Sequence, residues 1–191
     1  MELQYFEGIT FEKTNYTQSP LAKGEYENCR FVNCDFSGSG FEDQKFIECE
    51  FISCNLSMVK LTKTAFRTVR FKDCKMLGLH FEDCNTLGFS VNFENCTLNL
   101  SSFYQMRMRQ VRFKEVKLHD VDFTECDLSG AVFDQCDFTG AMFENTNLEK
   151  TDFRTSFNFS IHPGSNRIKK ARFSLEGLPG LLEQYDLDIS H

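Results

Sequence analysis

The sequence predicts an all-β solenoid, a rod of very short extended segments wound into stacked coils. Three observations predict it. The first is a strict period: in "CDLSGAVFDQCDFTGAMFENTNLEKTDF" (126–153) a large apolar residue returns at every fifth position, as Leu128, Phe133, Phe138, Phe143, Leu148 and Phe153. A helix wants apolar residues 3.6 apart and a strand wants them 2 apart, so a period of five marks a repeat architecture instead. The second is a smaller residue two positions before each large one. The third is composition: 22 Phe, of which 18 fall on the five-residue frames, with only 3 Pro to interrupt them.

The frame runs along nearly the whole chain. Upstream it occupies positions ending in 1 or 6, from Phe6 and Phe11 through Met76 to Phe81. Downstream it occupies positions ending in 3 or 8, from Phe93 to Phe153. The small positions include Cys29, Cys34, Val59, Val69, Val91, Val121, Ala131 and Ala141. In extended backbone, residues two apart share a face, so small and large residues both point inward while the one between them meets water. Polar residues and Gly follow each centre and suit a bend. One such unit buries nothing alone, whereas stacked units form a continuous core. Each buried Phe contributes roughly 1.5–3 kcal/mol of transfer energy.

Two breaks interrupt the frame. Phe81 to Phe93 spans 12 residues where 10 are due, so 84–91 forms an irregular corner. Gly88 can supply unusual backbone angles there, and Phe89 either lies exposed as a partner contact or folds back. Phe153 to Phe173 spans a full 20 residues, but 154–173 lacks regular centres apart from Ile168 and reads as a distorted last coil. Ser174 then N-caps a short helix through "LEGLPGLLEQY", followed by a strand-like "DLDI". Its apolar residues Leu178, Leu181 and Leu182 cover the open end of the core, alone or while also forming a two-fold dimer. The chain divides into a repeat rod (1–173) and this cap (174–191).

All nine cysteines (29, 34, 49, 54, 74, 84, 96, 126 and 136) sit on the small inward position. None forms a C-x-x-C pair, so zinc spacing is missing, and free Cys packs well as a small hydrophobe. Neither a metal nor another cofactor is expected. Reduced thiols in this number suit a reducing compartment. The N-terminus lacks a secretory h-region and no apolar run is long enough to span a bilayer, so the cytoplasm is the expected location. The four histidines are scattered and no nucleophile elbow or phosphate loop appears; catalytic residues are not expected.

The units "CDFSG" (34–38), "CNLSM" (54–58), "VDFTE" (121–125) and "CDFTG" (136–140) resemble the pentapeptide-repeat proteins. That resemblance implies a right-handed quadrilateral parallel β-helix, four units and 20 residues per coil, about eight coils long. On it Phe11, Phe31, Phe51 and Phe71 form one stack and Phe93, Phe113, Phe133 and Phe153 another. The family's quinolone-resistance members bind DNA gyrase, with a rod thought to imitate duplex DNA. The resemblance therefore implies a non-enzymatic protein-binding module, with gyrase as the most specific partner and an unidentified protein as the alternative. Direct nucleic-acid binding is not expected, since the net charge is −7, nor is a membrane partner, since no apolar run is long enough to span one. Ten acids crowd 115–152, and Asp122, Asp127 and Asp137 are the candidate partner-binding acids. Basic residues gather instead at 60–75, with smaller clusters at 107–114 and 167–172.

Overall fold

A computed structural model describes residues 4–188 and shows the solenoid. Strands β1 (Gln4–Glu7), β3 (Gly24–Glu27), β5 (Lys45–Ile47) and β7 (Ala65–Arg67) form one parallel sheet. A second, seven-stranded parallel sheet runs through β2 (Thr10–Glu12), β4 (Arg30–Val32), β6 (Glu50–Ile52), β8 (Val69–Lys72), β9 (Val91–Glu94), β10 (Arg112–Lys114) and β11 (Val132–Asp134). Paired residues lie one coil apart, as Phe31 with Phe51. The other two sides of each coil are held by single bridges such as Asp35↔Asn55 and Gly40↔Lys60.

The inward frame holds throughout, and the core is a set of ring columns. Phe31, Phe51, Phe71, Phe93, Phe113, Phe133 and Phe153 are all buried. Neighbouring rings stack nearly parallel, 4.6 Å apart for Phe31–Phe51, 5.4 Å for Phe71–Phe93 and 4.8 Å for Phe113–Phe133. The two Phe stacks expected from the sequence are thus one column, reaching from Phe11 to Phe173. The two extra residues between them are absorbed elsewhere: Phe71 pairs with Phe93 in register.

Each coil turns by placing the residue two after a centre in the left-handed region. Besides glycines, this position holds Lys13, Met58, Thr68 and Leu100, with φ of 49°, 59°, 56° and 62°. A side chain there costs about 1–2 kcal/mol, which burial of the adjacent centre offsets.

The corners come in two kinds. In closed corners the N–H of the small residue donates to the carbonyl of the centre three residues back, as Ser39 to Phe36 at 2.9 Å and Ala141 to Phe138 at 2.8 Å. At Cys29, Cys34, Cys49, Cys54, Cys74, Cys96 and Cys136 that bond is not made, although the residue before each is left-handed as at the other corners, with φ of 52° at Asn28 and 53° at Glu48. There the thiol donates to the central carbonyl of the preceding coil: Cys49 Sγ to Tyr26 O at 3.2 Å, Cys54 Sγ to Phe31 O at 3.3 Å and Cys74 Sγ to Phe51 O at 3.3 Å. The cysteines do pack in the core, all nine buried, yet all except Cys84 are also donors, a role invisible in spacing alone. Thr64 and Thr146 hydroxyls serve the same purpose towards Phe41 and Phe123.

The irregular corner is a small turn. Asn85 Oδ1 accepts the Leu87 N–H at 3.0 Å, and Gly88 takes φ +73°. Phe89 folds back, edge-on to Phe66 and Phe81 with centroids 6.5 and 6.3 Å away. The exposed tip is Leu87 instead, 74% accessible.

At the C-terminus the expected helix is replaced by two 3-10 turns, Leu178–Leu181 and Glu183–Tyr185. Gly177, Pro179 and Gly180 withhold α-helical propensity and a backbone donor from the segment. Ser174 does not cap them: its Oγ accepts the Gly177 N–H at 3.2 Å in the preceding turn, and Gly177 precedes the first 3-10 turn with no side-chain cap. Asp186–Asp188 form no strand, and Ile189 lies outside the described residues. The segment is seated on the last coil. Ile161 N–H donates to Gly180 O at 2.9 Å, and a Cβ on Gly180 would run into the Phe159 carbonyl oxygen. That coil is distorted as expected: Asn158 at the centre position points out at φ +58° while Phe159 turns inward against Phe153 and Phe173. Leu181 packs on the core, Leu182 is half-buried, and Leu178 faces solvent.

Candidate protein-binding surface

The three acids singled out in the sequence stand on three different sides of the coil. Asp122 bridges between Ser102 and Met142, Asp127 between Arg107 and Asn147, and Asp137 between Lys117 and Phe157. Each carboxylate is engaged by its own corner. Asp122 Oδ1 accepts the Thr124 N–H at 2.8 Å. Asp127 accepts Ser129 N–H at 3.1 Å, Asn147 Nδ2 at 2.8 Å and Arg109 Nε at 2.6 Å. Asp137 accepts Thr139, Asn158 and, at 2.8 Å, His119 Nε2. Burial alone would raise the Asp137 pKa, but these hydrogen bonds outweigh it and hold the carboxyl at about 2. The same competition leaves Asp127 below the usual carboxylate range. The acids are structural before they are anything else, and they do not form one continuous acidic face.

Winding brings together bases that the sequence separates. Arg70, Asn92 and Arg112 share one row of the seven-stranded sheet, and Lys72, Glu94 and Lys114 the next. Arg67, Arg107 and Arg109 flank these rows at the adjoining edge, beside the irregular corner. The counter-charges are four: Arg70 lies 3.7 Å from Glu50, Lys72 and Lys114 lie 3.7 and 3.3 Å from Glu94, Lys114 lies 4.0 Å from Glu115, and Arg109 pairs with Asp127. Among the described residues no ion pair engages Arg67, Arg107 or Arg112. A shallow groove of about 570 Å³ runs over the two rows, and a notch of about 230 Å³ opens between Ser90, Asn92, Arg107 and Arg109. In the sequence the 60–75 and 107–114 clusters stand apart. Only the 20-residue coil, lengthened by two, aligns them.

Among the described residues no group of three or more His, Cys, Asp or Glu side chains could hold a metal. No described helix is long and apolar enough to cross a membrane. His80 and His119 are occupied by Glu82 and Asp137.

A family model described as "Pentapeptide repeat region" matches residues 24–90 and 89–157. No curated protein matches the chain in sequence. Among solved structures, it is similar to a trypsin-treated variant of QnrB1, described as a plasmid-mediated fluoroquinolone resistance protein. That likeness has a TM-score of 0.76 at 15% identity and covers 98% of this chain and 92% of the other. It is also similar to HetL, a pentapeptide repeat protein involved in heterocyst differentiation regulation from the cyanobacterium Nostoc sp. Here the TM-score is 0.55 at 14% identity, covering 91% of this chain and 87% of that one. At these identities the likeness is one of fold.

Proposed function

We propose that the chain, which belongs to the pentapeptide-repeat family, is a non-enzymatic protein-binding rod. The observation that carries this reading is the division of labour in the coil. Inward positions are filled by stacked rings, so chemistry is left to outward residues held in fixed rows. Such a wall suits recognition of another surface better than enclosure of a small substrate. The cytoplasm is the proposed setting, where nine free thiols stay reduced. A photo-crosslinking residue placed in turn on each of the four sides, in the source cell, tests the reading. A discrete protein adduct from one side is expected; adducts from none overturn it.

The finer reading is that the partner is DNA gyrase. The fold-level likeness to QnrB1 supports it, while the spread of Asp122, Asp127 and Asp137 over three sides weighs against imitation of duplex DNA. Supercoiling assays with purified gyrase, with and without a fluoroquinolone, test it: neither inhibition nor protection removes gyrase and leaves the rod. Self-association through the C-terminal segment belongs to the same proposal. Leu175, Leu178 and Tyr185 are exposed there, so Leu178→Asp should abolish a dimer seen by sedimentation. Leu181→Asp is a poorer probe, since Leu181 serves the chain's own core.

A further inference from the structure

We infer that the basic edge around the irregular corner is a docking surface for an acidic, partly apolar polypeptide segment. The band holds seven bases (Arg67, Arg70, Lys72, Arg107, Arg109, Arg112 and Lys114) in a chain whose net charge is −7. Four acids oppose them: Glu94 within the band, and Glu50, Asp127 and Glu115 at its borders. Three of the arginines carry no ion pair among the described residues, so their guanidinium forks are free to take carboxylates bidentately.

The geometry fits an extended chain. Arg70 and Arg112 sit two coils apart in one row, roughly 9.6 Å at the usual strand spacing of ~4.8 Å. Three residues of an extended polyproline-like segment span about 9.3 Å, so acids at every third position meet successive bases. The notch between Arg107 and Arg109 offers Ser90 and Asn92 as further hydrogen-bonding groups for one carboxylate. Leu87, projecting at the rim, supplies an apolar contact that a purely charged ligand would leave uncovered. Arg67 lies under this tip, its side chain against Gly88.

A nucleic acid fits less well. Among the described residues the band has no exposed aromatic side chain for base stacking.

This surface rests on the protein-binding reading and is tested separately from it. Fluorescence anisotropy would follow a labelled glutamate–leucine peptide titrated with the intact protein. Binding is expected to weaken with salt, because exposed charges are screened beyond ~10 Å at 0.1 M. Arg107→Glu with Arg112→Glu should weaken it about tenfold or more, as loss of bidentate charge pairs does. Lys63→Glu with Lys75→Glu, the same charge change on other sides, should leave it nearly unchanged. The melting temperature of both variants should match the parent. Failure of the peptide to bind, equal weakening by both variants, or tighter binding of single-stranded DNA overturns the inference. Crosslinked partners on another side with no peptide binding would remove this surface alone.

Discussion

The coils before and after the irregular corner follow the same 20-residue winding, yet the first half carries two sheets and the second only one. The difference lies along a single side. Before the corner its centres are Phe6, Tyr26, Phe46 and Phe66, stacked 4.6 to 5.5 Å apart. The small residues that follow are Cys29, Cys49 and Val69, and the corners stay open enough for β1, β3, β5 and β7 to pair. After it the centres are Met108, Leu128, Leu148 and Ile168, followed by Val111, Ala131, Thr151 and Ala171. There the corners close, with Ala131 N–H on Leu128 O at 2.9 Å and Thr151 N–H on Leu148 O at 3.1 Å. The backbone then pairs only by single bridges such as Arg107↔Asp127. Along this side strands pair where aromatic centres stack, and single bridges replace them where the centres are aliphatic. A thiol does not by itself keep a corner open, since Cys126 N–H closes on Phe123 O at 3.1 Å and Cys84 N–H on Phe81 O at 3.0 Å.

The largest test breaks the claim that the two halves share one ring column. Phe133→Ala should cost about 3–5 kcal/mol, since neighbouring coils cannot collapse into the gap. Phe71→Ala, at the junction with Phe93, should cost as much. A much smaller loss at Phe71 in denaturant melts would show that the column is interrupted. Asp134→Ala, facing water one residue beyond Phe133, should stay within about 0.5 kcal/mol.

Phe89 sharpens the comparison at its hinge. Because it packs on Phe66 and Phe81, Phe89→Ala should destabilise by about 2–3 kcal/mol, less than full burial gives. An unchanged melting temperature would mean the ring serves a partner rather than the core. Leu87→Ser at the exposed tip should be nearly neutral.

A smaller effect separates the acids of the second half. Asp137→Lys should cost about 1 kcal/mol for its lost corner hydrogen bonds, whereas Glu125→Lys should cost little. The Asp137 pKa is lowered to about 2, below the roughly 3.9 of an unfolded Asp. Its contribution is therefore full above about pH 4 and is lost as pH falls through 2. Asp137→Asn should remove that part of the acid dependence. If wild type and variant lose stability in parallel from pH 5 to 2, the carboxylate is not held by its corner.

The smallest effect is an expected silence. Burial pushes the Cys49 and Cys136 thiols up to about 12, so at pH 8 a disulfide reagent should label few of the nine in the native state and all nine after denaturation. Fast labelling confined to the cysteines of one half would mark that half as loosely packed.

Much of this protein is decided by local pattern. Phe, Leu and Met at every fifth place, with a small residue two before, leave one arrangement that buries both, so the solenoid, the inward frame and the buried cysteines are legible residue by residue. The left-handed corner residues are legible only as bends, because Met58, Thr68 and Leu100 carry no signature of positive φ; the ladder imposes it. The C-terminal helix fails for a reason present in the sequence, the Gly177–Pro179–Gly180 punctuation, which the apolar Leu178, Leu181 and Leu182 obscure.

What only the tertiary structure decided are the relations between coils. A period says which residues face in, but not which carbonyl a thiol reaches, and Cys54 meets Phe31 across a gap of 23 residues. Whether Phe71 and Phe93 stack, whether Phe89 turns in and Leu87 out, and whether Arg70 lines up with Arg112 all depend on where two extra residues are stored. The chain stores them at Asn85–Ser90 because a surface turn with its own hydrogen bonds costs less than shifting every later side chain out of register with the column below.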